Sequence, residues 1–212
     1  MVETRDYVEW HRGYDDPNSG LSWRLEYVRR QIRQRLDERS GQQRIVSACA
    51  GDGRDVIGVL ATRADADRID AYLIEINETL AERARSAAAT AGLSRVHVRV
   101  ADAGWTDAFV DAVPADLVLL MGIFGNITDE DVHETIRATP QLCAPEATVL
   151  WSRARSPRDI NELIRTWFIE EGFTDLDYAT HDGAGLTAAG VMRYTGPQKP
   201  HEPGRRMFTF RR

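Results

Sequence analysis

The feature that most constrains this chain is an alternation of short apolar runs with stretches of helical spacing. RIVSACA (44–50) ends in Gly51-Asp52-Gly53 and leads into a helical stretch over 54–63. IDAYLIEI (69–76) precedes NETLAERARSAAATAGL, VHVRVAD (96–102) follows it, and ADLVLLMG (115–122) precedes DEDVHETIRATPQLC. ATVLWSRA (147–154) precedes PRDINELIRTWFIEEGF, which ends at Gly172. A strand covered on both faces reads as an unbroken apolar run, as ADLVLLMG does. Five such strands alternating with helices predict a parallel, doubly wound sheet with right-handed crossovers, in three α/β/α layers.

The two ends read differently. Leu21, Leu25, Val28, Ile32 and Leu36 recur at spacings of three and four. They predict an amphipathic helix, capped by Ser19 or Ser22 and ending near Ser40-Gly41. After residue 172, FTDLDYAT, AAGVMRYT and RRMFTFRR read as strands with no helical period between them. Antiparallel strands closing one edge would bring the sheet to about seven. The 212 residues suit one domain, with a flap and helix over 1–40 and a core over 41–212.

Charge narrows the function. With 27 Lys+Arg against 33 Asp+Glu, the formal net charge is −6. That disfavours a general grip on nucleic acid and attraction to anionic membranes. Two cysteines, Cys49 and Cys143, exclude a disulfide scaffold and a Cys-rich metal site, and no metal is expected. The start MVETRDYVEW has no apolar core of signal-peptide length, and no window approaches a bilayer span. A cytoplasmic protein with reduced thiols is expected. Lys199 is the single lysine, so Schiff-base chemistry would rest on one residue in a Pro-rich tail.

Three motifs stand at the ends of three successive strands. Gly51 and Gly53 follow the first strand, where glycine lets a ligand approach the backbone; a tight strand-to-helix turn uses glycine as well. Glu75 ends the second strand, 24 residues after Gly51, where a carboxylate can accept both hydroxyls of a ribose. It could equally serve the start of the next helix. Asp102-Ala103 follows the third strand, where an Asp could take an exocyclic amine or simply make a turn.

Taken in order, IVSACAGDG, LIEINETLAERARSAAATAGL, VRVADA and ADLVLLMGIFGNI resemble the class I S-adenosylmethionine-dependent methyltransferases, over about residues 44–180. The resemblance implies a Rossmann-like fold and an S-adenosyl-L-methionine cradle. Gly51 and Gly53 would face the methionine part, Glu75 the ribose, and Ile76 with Asp102 and Ala103 the adenine; Ala50 and Asp52 of the same loop would also belong to the cofactor site. Gly122, Ile123 and Asn126, within Met121–Asn126, would flank the transferred methyl. Two positions depart from the family pattern: Ser47 stands where an acidic residue is frequent, and Cys49 replaces the first loop glycine. Asp52 and Asp55 sit close enough in sequence to help hold the amino group, although Asp55 also suits the first turn of a helix. A dinucleotide fingerprint would need glycine at position 56, which is Val56.

Methyl transfer requires in-line placement of an acceptor and loss of its proton. Of five histidines, His11 and His181 are the candidate catalytic bases; His97, His133 and His201 read as strand, solvated-helix and loop residues. WHRGYDD (10–16) has the chemistry of a flap, with Tyr14 able to bond the cofactor carboxylate, or of a tail anchored by its aromatics. GIFGNI after the fourth strand differs from the DPPY-like motif of DNA adenine methylation. A small-molecule acceptor is expected. The competing readings are a non-catalytic S-adenosylmethionine- or S-adenosylhomocysteine-binding module and an NAD(P)-linked oxidoreductase. Monomer and homodimer both remain open.

Overall fold

A computed structural model describes Tyr14, Asp16 and residues 19–183 and 186–211. Seven strands form one sheet: β1 (Gln43–Ala48), β2 (Ile69–Glu75), β3 (Val96–Val100), β4 (Ala115–Leu120), β5 (Cys143–Ala154), β6 (Phe173–Thr180) and β7 (Thr187–Tyr194). Their order is β3-β2-β1-β4-β5-β7-β6. β1 to β5 pair in parallel, and β7 runs antiparallel to both β5 and β6.

The helices are α1 (Gly20–Asp37), α2 (Val56–Leu60), α3 (Glu78–Thr90), α4 (Asp129–Ala138) and α5 (Asn161–Glu170). The starts of α1 to α4 are fixed by cap side chains that satisfy free N–H groups. Ser19 caps α1 through Ser22 N, Asn77 caps α3 through Leu80 N, and Thr128 caps α4 through Asp131 N. Asp129, Glu130 and Asp131 in the first turn of α4 also favour its positive end.

One face of the sheet packs Ile45, Leu73, Leu117 and Leu119 against α1, α2 and α3. The other packs Val46, Val118, Val149 and Trp151 against α4, α5 and the C-terminal Met207 and Phe208. Adjacent residues of one strand therefore serve opposite layers, as the two-residue period requires. No helix among the described residues is long and apolar enough to cross a membrane.

Three local expectations change. The stretch 54–63 holds only the five-residue α2. β5 begins at Cys143, because α4 closes at Ala138 and a single tight turn, Thr139–Leu142, delivers the chain straight into it. RRMFTFRR is no sheet strand. Apart from one bridge, Trp105 to Arg206, it lies extended across loops. Met207 N bonds Gly104 O, Thr209 N bonds Asp131 Oδ2, and Arg211 N bonds Asn126 O. An alternating pattern marks an extended segment with one covered side; what its backbone pairs with is decided elsewhere.

Candidate functional site

The strand order reverses at β1: β2 and β3 lie to one side, β4 and β5 to the other. Connections that part this way leave a crevice beyond the carboxyl ends of the strands. A cavity of about 340 Å³ occupies it. Its floor is Ser47, Cys49 to Asp52, Glu75 to Asn77, Met121 and Gly122; Arg24, Leu25 and Val28 of α1 form a wall, with Tyr14, Asn126 and Phe210 at the margin.

Glu75 organises the floor. It is buried, and its carboxylate spans two loops: Oε2 accepts from Gly51 N at 2.7 Å and Oε1 from Asn77 N at 2.8 Å. A third tie, Ala50 N to Ile74 O at 2.9 Å, fastens the same loop to β2. Each carboxylate oxygen has a second lone-pair direction, so the group is oriented and can still accept from a ligand. Cys49 takes a left-handed backbone, φ 53°, which favours glycine and costs a side-chain residue energy. Burial, with Glu75 and Asp102 nearby, pushes its thiol well up, so it stays neutral.

Three acids and two arginines face the cavity. Arg54 holds Asp52 through both carboxylate oxygens, at 2.9 and 2.5 Å. Tyr14 lies between guanidiniums: the Arg54 carbon is 4.3 Å from its ring centre, and Arg24 Nη2 donates to its hydroxyl at 2.5 Å. Ser47 is buried in the floor, and its hydroxyl oxygen has no partner among the described residues. A buried hydroxyl at the edge of a cavity is costly to leave unpaired.

Asp55 lines the same cavity and accepts from Val56 N at 2.7 Å. Burial raises its pKa above the usual carboxylate range; Val56 N–H and Arg24 oppose this, and Asp52 adds to it. A carboxyl raised on folding contributes stability below its unfolded pKa and loses it as pH rises through the folded one. Asp55→Asn keeps the cap and removes the charge. The variant is expected to melt higher than the parent at pH 7, with the gap closing toward pH 4. Equal shifts at both pH values in thermal denaturation would contradict this assignment.

Nine of the residues singled out from sequence line this cavity: Tyr14, Ala50, Gly51, Asp52, Asp55, Glu75, Ile76, Gly122 and Asn126. Four others do not. Gly53 has φ 68°, and a Cβ there would stand 2.7 Å from Leu73 Cδ1 and 2.8 Å from Ile57 Cδ1; its glycine serves packing, so a Gly53→Val change would strain the fold as well as the loop. Asp102 accepts from Gly104 N at 2.8 Å and pairs with Arg206 at 2.6 Å, while Ala103 and Ile123 are buried in the core. His181 is absent from the wall. Its ring stacks on Trp23, 5.4 Å away, and its main-chain N–H bonds Thr187 O. His11 lies outside the described residues, as does most of the 1–16 flap.

Arg24, which sequence reasoning passed over, is buried and reaches the cavity from α1. It precedes Val28, Ile32 and Leu36 by multiples of four, on the row that faces the sheet. An arginine placed in that row was the available signal.

No family model matches the chain, and no curated protein matches it. Solved structures do. The magnesium protoporphyrin IX methyltransferase of Synechocystis PCC 6803, with bound SAM, superposes with a TM-score of 0.70 at 13% identity, over 90% of this chain and 92% of that one. A possible exported protein from Bordetella parapertussis gives 0.69 at 17% identity, over 92% and 81%. The precorrin-6y C5,15-methyltransferase of Geobacter metallireducens GS-15 gives 0.59 at 12% identity, over 80% and 88%. At such identities the likeness is one of fold. The chain has the α/β Rossmann-like fold of these proteins, with a seven-stranded, mostly parallel sheet.

Proposed function

We propose that this chain is an S-adenosylmethionine-dependent methyltransferase acting on a small-molecule acceptor. The observation that carries the reading is Glu75, a buried carboxylate at the end of β2, held by Gly51 N and Asn77 N with lone pairs facing the crevice. Paired ribose hydroxyls match that acceptor geometry. The open Ser47 hydroxyl and the Asp52 and Asp55 carboxylates suit an ammonium and supply the acidity missing from β1. Ile76 is 61% exposed at the rim and offers an apolar surface for a purine ring. That a fold neighbour was crystallised with SAM supports the same ligand.

When bound, this cofactor supplies a methyl carbon made electrophilic by its sulfonium. The chain's part is placement. Gly122, with φ 71°, presents backbone without a side chain beside the crevice. Asn126 Nδ2 locks Gly122 O at 2.7 Å, and Ser152 Oγ accepts from Gly122 N at 3.2 Å. The apolar Leu25, Val28 and Met121 exclude water from the same volume. Rigid positioning and desolvation of this kind account for large rate factors without a general base.

Val56 weighs against a dinucleotide. It is fully buried at the first position of α2, where close passage of a pyrophosphate would need glycine. The test is transfer of label from methyl-labelled cofactor to pooled small metabolites. Acceptor-dependent transfer is expected. Saturable cofactor binding with no transfer to any pool would favour a non-catalytic binding protein.

A further inference from the structure

A second cavity, of about 490 Å³, shares Arg24, Gly122 and Asn126 with the first. Its remaining wall comes from the start of α1, the end of β5, the loop after it and the start of β7, with Ser19, Ser152, Arg153, Ser156 and Thr187 as its polar groups. Among the described residues, the lining as a whole carries two guanidiniums, Arg24 and Arg153, and no carboxylate. In a chain of net charge −6, this is a local reversal of sign.

Arg153 is the centre of it. Its side chain is 10% exposed. It donates to Phe124 O, and Nη2 stands 3.4 Å from Asp129 Oδ1. Nε has no partner among the described residues. Asp129 is shared: its other oxygen is bound by Arg158 at 2.6 Å. Asp129 thus pairs with two guanidiniums, and the pKa of Arg153 is lowered by burial and by Arg211 and Arg158, with Asp129 and, less strongly, Asp159 acting against them. A largely covered cation with a long, divided partner is costly unless a further anion completes it. Guanidinium is also the side chain best shaped to take an oxyanion.

We propose that the second cavity is the acceptor subsite and that its acceptor is a small organic anion, with its carboxylate or phosphate head held by Arg153 and its nucleophilic end toward Gly122. The assignment of this subsite to the acceptor rests on the methyltransferase reading of the first cavity; the preference for an anion rests on the second cavity alone. The volume fits a single metabolite-sized molecule.

The test titrates matched probes into the protein, with and without S-adenosylhomocysteine: benzoate against benzamide, glutarate against glutaramide, and phenyl phosphate against phenol. The anions are expected to bind at least tenfold more tightly than their neutral partners. The carboxylate and phosphate arms identify which head the cavity takes. Arg153→Gln is expected to abolish that preference while leaving S-adenosylhomocysteine affinity within about twofold. Asp129→Asn, which releases Arg153 from its partner, is expected to strengthen anion binding severalfold, and it serves as a test that does not depend on folding of the Arg153 variant. Equal binding of anions and neutral partners, anion binding unmoved by both substitutions, or absence of anion binding would overturn the proposal. Failure of S-adenosylhomocysteine to bind, with anion preference intact, would instead remove the methyltransferase reading and leave an anion site.

Discussion

Glu75→Ala is expected to lower affinity for S-adenosylmethionine by at least a hundredfold. The change has two consequences that act together. It removes the acceptor proposed for the ribose hydroxyls, and it leaves Gly51 N–H and Asn77 N–H without the carboxylate that joins their loops. Hydrogen bonds to a charged acceptor are worth about 1.5–3 kcal/mol each, and about 1.4 kcal/mol is tenfold in affinity. Glu75→Gln separates the two consequences. Its amide keeps one acceptor but places an NH₂ against a backbone N–H, so a smaller loss of stability is expected with a large loss of binding. Calorimetry and thermal denaturation on both variants check this. Unchanged affinity in a folded Glu75→Ala protein would remove Glu75 from the cofactor site.

A large effect on stability is expected where Gly190 of β7 meets Trp151. A Cβ there would stand 2.5 Å from Cε2 and Nε1 of Trp151. Trp151 is fully buried and cannot withdraw, because Phe124, Phe168 and Tyr178 surround its ring at centroid distances of 6.1, 6.3 and 6.1 Å. Gly190→Ala is therefore expected to cost about 3 kcal/mol, at the upper end for overpacking. For a chain of this size that lowers the melting temperature by roughly 6–12 °C. Trp151→Ala should cost about 3–5 kcal/mol through the cavity it leaves. The double variant should be less damaged than the sum, since the added methyl then enters empty space. Urea midpoints for the three proteins measure this coupling, and strict additivity would show that Gly190 and Trp151 do not share the constraint.

How far the sequence could be read depends on which physical signal each residue carried. β1 to β5 were legible because strands covered on both faces must be apolar throughout and must alternate with helices. Gly51 and Glu75 were legible because their order and spacing place them at neighbouring strand ends. Gly53 does not line the cavity, and a glycine that makes room for Leu73 and Ile57 looks the same in sequence as one that makes room for a ligand. Asp102 is a related case: a carboxylate that holds its own loop and Arg206 carries no mark of that use in sequence. The RRMFTFRR segment showed the period of a strand, yet its backbone is satisfied by Gly104, Asn126 and Asp131 rather than by a sheet edge. Arg24 and Arg153 were hidden by composition. In a chain whose cations are nearly all arginine, two that are packed against the crevice, one buried and one partly so, do not stand out until packing separates them from the solvated ones.

The account rests on the first cavity taking S-adenosylmethionine. Titration calorimetry of the intact protein with S-adenosylhomocysteine, and in parallel with NADH, addresses this most directly. One-to-one saturable binding of S-adenosylhomocysteine, lost in Glu75→Ala and retained in Arg153→Gln, with no heat from NADH, is the predicted result. Binding of NADH in its place, or S-adenosylhomocysteine binding indifferent to Glu75, would contradict the account.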